Sequence, residues 1–236
     1  MLPTKDERGT RGANVVIQAQ REALIGLLLV ILPNLVLVGV GLLMRRQAQQ
    51  VTEAQAAGVF GIERLLRQVG LNAFLLLPMG IWLWRRRTGL AACGWQQVRL
   101  GRAAGVGVLL GAAVLFLRAQ PFAPERLALS DTWWALATYS VVAVSEETLF
   151  RGFLQGRLEA WLGRWWGYFA TALLFSAVHL PTRLLGGEPL AQALTYATVQ
   201  LLPMALLFGG AMSVANHAAA PTLLHLAWNW ASVIRR

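Results

Sequence analysis

Apolar runs long enough to cross a membrane alternate with short basic segments along most of the chain. A spanning helix needs about 20 predominantly apolar residues at roughly 1.5 Å each. Such runs lie at 23–44, 66–84, 103–117 and 165–180, and another starts near Asp131 and runs into the segment 145–154. From 190 to 234 the chain is almost continuously apolar, too long for one span. Pro203, Gly209-Gly210, Asn216 and Pro221 are the candidate breaks, and three helices are expected there, for about eight spans; two helices, for seven, is the alternative. Pro33 and Asn34 interrupt the first run. Residues 1–22 read as a polar, partly disordered tail, 45–65 as a polar loop or surface-lying helix, and 118–130 as a loop with Pro121 and Pro124. Gly101 with Gly105, and Gly107 with Gly111, are small-residue pairs that let helices approach closely. The pattern predicts an all-α fold, a polytopic transmembrane helix bundle, organised as the tail 1–22, amino-terminal spans in 23–120 and a carboxy-terminal core in 121–236.

Composition sharpens this. Hydrophobic residues make up 56% of the chain and charged residues 14%, against roughly 25% charged in an ordinary soluble domain. The net charge of +10 does not indicate nucleic acid. Arg45-Arg46, Arg85-Arg86-Arg87 and Arg235-Arg236 each abut an apolar run, where arginines meet anionic headgroups. Trp82, Trp84, Trp133, Trp134, Trp165, Trp166 and Trp230 fall near span ends, as an interfacial belt requires. With an even span count, the excess of Lys and Arg on one side predicts cytoplasmic termini. The first run is too long for a signal peptide's apolar region, and Arg45-Arg46-Gln47 follow it, so it reads as a span. A single cysteine, Cys93, allows no intrachain disulfide.

Against this background the segment Ser145-Glu146-Glu147-Thr-Leu-Phe-Arg151 stands out. An acid at the bilayer centre costs about 3 kcal/mol. Arg151 lies four residues after Glu147, on the same helix face and in the favourable order. Glu146 is rotated by about 100° from Glu147 and cannot share the arginine equally. One carboxylate is thus structural and the other free to face a cavity; an ion-pair lock at a helix end is the plain alternative. His179 and His225 lie on other apolar segments, and Asn229 follows His225 by one turn. A shared, water-holding pocket satisfies these groups together, and Glu146, His179, His225 and Asn229 are expected around one cavity, within about one water of each other. A glutamate there can take a proton from water, while imidazole and carboxamide donors stabilise an oxyanion. No H-E-x-x-H and no G-x-S-x-G is present. His217 reads as structural.

The ordered set Glu146-Glu147-x-x-x-Arg151, Phe175-x-x-x-His179 and His225-x-x-x-Asn229 resembles the three motifs of the CAAX-protease and bacteriocin-processing (CPBP, or Abi) family of intramembrane proteases, the CAAX prenyl protease 2-like proteins among them. The resemblance covers residues 130–234. It implies that Glu146 activates water, His179 holds that water, His225 and Asn229 stabilise the oxyanion, and Glu147 and Arg151 support the site. It implies an intramembrane endopeptidase acting on a membrane-embedded or lipid-anchored protein or peptide, in a bilayer, the bacterial plasma membrane being the expected one. No cofactor is expected, because Asn229 is a poor metal ligand and a good donor; zinc held by Glu146, His179 and His225 is the alternative. Other readings of the chain are a non-catalytic scaffold or immunity protein of the same family and a proton-coupled carrier, which predicts internal repeats.

Overall fold

The computed structural model describes residues 5–44 and 60–235. Its elements are helical, apart from an isolated bridge between Phe122 and Arg235. Helix α1 (Lys5–Leu43) is 39 residues long and runs unbroken through Pro33. It begins well inside the expected polar tail, which is therefore helical from Lys5 onward. Of the expected loop or surface helix at 45–65, residues 45–59 lie outside the described residues, and α2 (Ile62–Arg85) follows. Short 3-10 turns at Leu90–Cys93 and Gln97–Arg99 lead into α3 (Leu100–Arg118). The next rod joins α4 (Ser130–Glu147), a π-helix (Thr148–Gln155) and α5 (Gly156–Leu162). Gly163, at φ 85°, turns the chain into α6 (Arg164–Ala177), followed by the short α7 (Leu180–Leu185).

Residues 190–234 form two helical rods, not three. The first joins α8 (Leu190–Thr195), a second π-helix (Tyr196–Leu201) and α9 (Leu202–Ala215); the second is α10 (Ala219–Ile234). Pro221 sits in the first turn of α10, where a missing N–H breaks little, while Pro203 lies inside the continuous first rod, directly after its π-helix, without ending it. Gly209 is kept helical by packing against Tyr168 and Gln155. The break falls at Asn216, whose left-handed φ of 51° ends α9. Seven principal helices result among the described residues. Four segments are long and apolar enough to cross a membrane: Asn14–Leu43, Ile62–Arg85, Gln97–Arg118 and Leu190–Ala215. Leu24, Leu28, Leu32, Leu35 and Val36 on α1 are exposed, as a lipid-facing surface requires.

Helices α3 and α10 lie side by side and parallel. Ala218 N donates to Gly94 O (2.9 Å) where both begin, and Ala123 N to Ile234 O (3.0 Å) where both end. Between these ties, a Cβ on Gly107 would lie 2.9 Å from Leu223 Cβ, and one on Gly111 3.2 Å from Ala227 Cβ. The second expected glycine pair therefore packs within the chain, while Gly101 and Gly105 face open space. The α4 rod runs antiparallel to α10, with Trp230 Nε1 donating to Thr132 O (3.2 Å) at one end and His225 meeting Glu147 further along. Helix α2 runs parallel to that rod, from the Phe60–Tyr139 ring contact to Trp82–Phe153. The early part of α1 lies at the lower end of this bundle, where Glu22 pairs with Arg86 and Gly26 touches Leu154. The last helix exits at the opposite end, beside Phe122. The expectation of both termini on one side thus fails with the eight-span parity that produced it.

Candidate active site

Glu146 and Glu147 occupy the last turn of α4, immediately before the π-helix. Wide π turns disturb regular side-chain spacing and recur at functional sites. Here the widened segment is braced from both sides. Thr148 Oγ1 donates to Val144 O and accepts from Trp95 Nε1 (2.8 Å). A Cβ on Gly152 would lie 1.9 Å from Cys93 O, so only glycine admits the 90–93 turn against the rod.

The two adjacent carboxylates take different environments, as their rotation about the helix predicts. Glu147 is completely buried. Its Oε1 accepts from Arg151 NH1 (3.2 Å) and from His225 Nδ1 (2.8 Å), while its Oε2 has no partner. Arg151 is buried too, with NH2 donating to Ala205 O (3.0 Å) and the guanidinium over the rings of Phe175 (4.2 Å) and Phe208 (5.4 Å). Aromatic faces and a carbonyl replace the water that a buried cation loses. Glu146 retains 21% side-chain exposure. Its Oε1 lies 3.9 Å from His179 Nε2 and its Oε2 4.0 Å from His225 Nε2, so it stands between two imidazoles without bonding to either.

Each imidazole is oriented through its other nitrogen. His179, at the end of α6, places Nδ1 2.7 Å from Phe175 O, and a carbonyl can only accept, so Nδ1 carries the proton. His225 donates Nδ1–H to Glu147. It is 2% exposed and stacked on Phe208 at 4.6 Å between centroids. His217 is buried elsewhere, with Nδ1 accepting Ala219 N–H (3.0 Å) at the start of α10, the structural role its sequence context suggests.

A cavity of about 140 Å³ opens at Glu146 and His179. The sequence reading expected all four polar residues around it, but His225 and Asn229 are not among its lining residues. His225 is drawn back by Glu147 and covered by Phe208. Asn229 lies one turn further along α10, partly exposed, and its carboxamide bonds to no described residue. The structure therefore gathers Glu146, His179 and His225, together with Glu147 and Arg151, and leaves Asn229 at the edge. It also adds three residues not expected at the site, Asn34 reading in the sequence only as an interruption of the first span: Asn34 on α1 and Gln68 and Asn72 on α2 line the same cavity. The available signal was a carboxamide inside an apolar span, costly unless it has a partner.

Zinc has suitable donors here, since both Nδ1 atoms are engaged as outer-shell anchors of metal-bound histidines are. The spacing is less suitable: among the described residues no three His, Cys, Asp or Glu side chains converge at ligand distances.

Residues 128–231 match the family model described as Type II CAAX prenyl endopeptidase Rce1-like. Over this stretch the chain is similar to the Rce1-like family. No curated protein and no solved structure matches the chain. The matched segment contains all seven of the motif residues, from Glu146 to Asn229, and excludes α1 and α2. The described family is one of CAAX prenyl endopeptidases, and likeness to it accords with the four span-capable segments among the described residues.

Proposed function

We propose that the chain is an intramembrane endopeptidase of the glutamate type, with Glu146 as the base that activates water. The observation that carries this is the position of Glu146, partly exposed at a cavity and flanked by two imidazole Nε2 atoms at 3.9 and 4.0 Å. Each gap accommodates one bridging water. The Glu146 carboxylate takes a proton as the water oxygen adds to the peptide carbonyl carbon. His179 Nε2 holds that water. His225, anchored through Nδ1–H to the Glu147 carboxylate, forms with Asn229 the pair that stabilises the oxyanion. Glu146 then passes its proton to the leaving amine as the C–N bond breaks. Glu147 and Arg151 hold His225 in place and do not touch substrate.

The substrate is a membrane-embedded or lipid-anchored protein, with CAAX-type processing as the family's version. We place the chain in a bacterial plasma membrane. Only one terminus can be cytoplasmic, and the basic clusters Arg85-Arg86-Arg87 and Arg99, which share the amino-terminal end of the bundle, assign that side to the amino terminus. The zinc reading is kept because the anchored imidazoles favour it, with Glu146, His179 and His225 as ligands; a bound zinc would polarise the carbonyl and acidify water.

Wild type, Glu146→Gln and His179→Ala are compared on quenched lipid-anchored peptides. Loss of general-base catalysis predicts a fall of about 10²–10⁴-fold for Glu146→Gln, with unchanged thermal stability because the side chain makes no hydrogen bond. Equal cleavage by all three proteins refutes the assignment.

A further inference from the structure

Helices α1 and α2 lie outside the family match, yet they form the wall of the cavity that contains Glu146 and His179. Three carboxamides line that wall: Asn34, Gln68 and Asn72. Asn72 is only 3% exposed. Asn34 Nδ2 donates to Val30 O (2.8 Å) and Asn72 Nδ2 to Gln68 O (2.8 Å), each one turn back in its own helix. A backbone carbonyl can only accept, so these bonds fix the amide orientation: nitrogen toward the helix, oxygen away from it. Neither Oδ1 accepts a hydrogen bond from a described residue. Leucine at these positions would avoid the cost of a half-satisfied carboxamide in a spanning helix. The remaining lining from these two helices is leucine, and no Lys or Arg lines the cavity, so it offers acceptors and apolar contact but no cation for a free carboxylate.

We infer that Asn72 and Asn34 are substrate-positioning residues whose carboxamide oxygens accept main-chain N–H groups of an extended peptide laid against the α1–α2 wall, opposite Glu146. An intact helix cannot serve as this ligand, because its N–H groups are already bonded within it. The site therefore selects an unwound stretch of a membrane-associated protein, and the bond cleaved lies in that stretch. This rests on the reading of Glu146 as the water-activating group.

The test is a cycle between protein and peptide. A fluorescent farnesylated peptide ending in a CAAX sequence is prepared together with analogues bearing a single N-methyl group at each backbone amide. Binding is measured to the Glu146→Gln protein in nanodiscs, alone and combined with Asn72→Leu or Asn34→Leu, and cleavage of the same peptides is measured with wild type. Expected is one methylation position that weakens binding about five- to tenfold, the worth of one hydrogen bond, with that penalty gone in a leucine variant of unchanged thermal midpoint. Both leucine substitutions are benign in a spanning helix, and either alone suffices. Equal penalties in all proteins, no sensitive amide, or no binding of the extended peptide would overturn the inference. Binding that follows the expected cycle without any cleavage by wild type would instead count against the proposed function.

Discussion

Replacing Arg151 by methionine isolates the energetics of the buried lock. Glu147 has no exposure, and Arg151 contacts it at 3.2 Å with 1% side-chain exposure of its own. At an effective dielectric constant near 20, two unit charges at that distance attract by about 5 kcal/mol. Losing one partner of a buried pair costs about 3–5 kcal/mol, chiefly because the other charge is stranded. Methionine keeps most of the volume between Phe175 and Phe208, so the cavity contribution is small. Arg151→Met is therefore expected to lower the thermal midpoint by about 10 °C, from about 3 kcal/mol at a few degrees per kcal/mol. The double variant Arg151→Met, Glu147→Gln removes both charges and should recover most of that loss, because glutamine still accepts the His225 Nδ1–H. Activity should not recover, since the Glu147 carboxylate behind His225 has lost its charge. Tryptophan emission during heating in detergent reads the midpoint, and peptide cleavage reads the activity. A single variant within about 1 kcal/mol of wild type, or a double variant no more stable than the single, would refute this account of the lock.

Other outcomes follow from neighbouring features. Burial raises the Cys93 thiol to about 11, so the thiol form stabilises the fold below about pH 9, and that contribution is lost as pH rises toward 11. Alkylation of the folded protein at pH 8 should be slow and should accelerate only toward pH 11; labelling at the rate of a free thiol would contradict this. Gly107→Val should destabilise by about 1–3 kcal/mol through overpacking against Leu223 and Ala220, whereas Gly105→Ala, which faces open space, should cost nothing, as denaturation midpoints would show. Prolonged chelation should leave the cleavage rate unchanged. A tenfold loss restored by zinc would replace the glutamate mechanism with a zinc centre on Glu146, His179 and His225.

Much of the carboxy-terminal site was legible because charged and imidazole side chains are conspicuous in apolar helices. The spacing of Glu147 and Arg151 forecast their ion pair, and the rotation between Glu146 and Glu147 forecast one buried and one accessible carboxylate. The partner that Glu147 found across the bundle, His225, was not legible, since helix pairing is absent from local periodicity. Neither was the π-helix: nothing in Thr148–Gln155 announces it, and its bracing comes from Trp95 and Cys93, more than 50 residues earlier. The count of helices after Leu190 went astray because proline and glycine were weighed as breakers. Pro221 in a first turn breaks little, Pro203 is tolerated just after a π-helix inside a continuous rod, and Gly209 serves close packing. The site role of Asn34, Gln68 and Asn72 is not legible, because a carboxamide in a hydrophobic run reads as at most an interruption and which way it faces depends on the assembled bundle.

The parallel pair α3 and α10 has main-chain ties at both ends and glycine contacts between them. Such a double strut resists sliding and tilting, so the imidazole of His225 rests on a pair of helices tied at both ends. An enclosed reaction chamber still has to admit a polymer. The facing wall of the cavity is α1 and α2, leucine-studded toward lipid and carrying the carboxamides on their inner face, so a client arriving sideways would meet these two helices first.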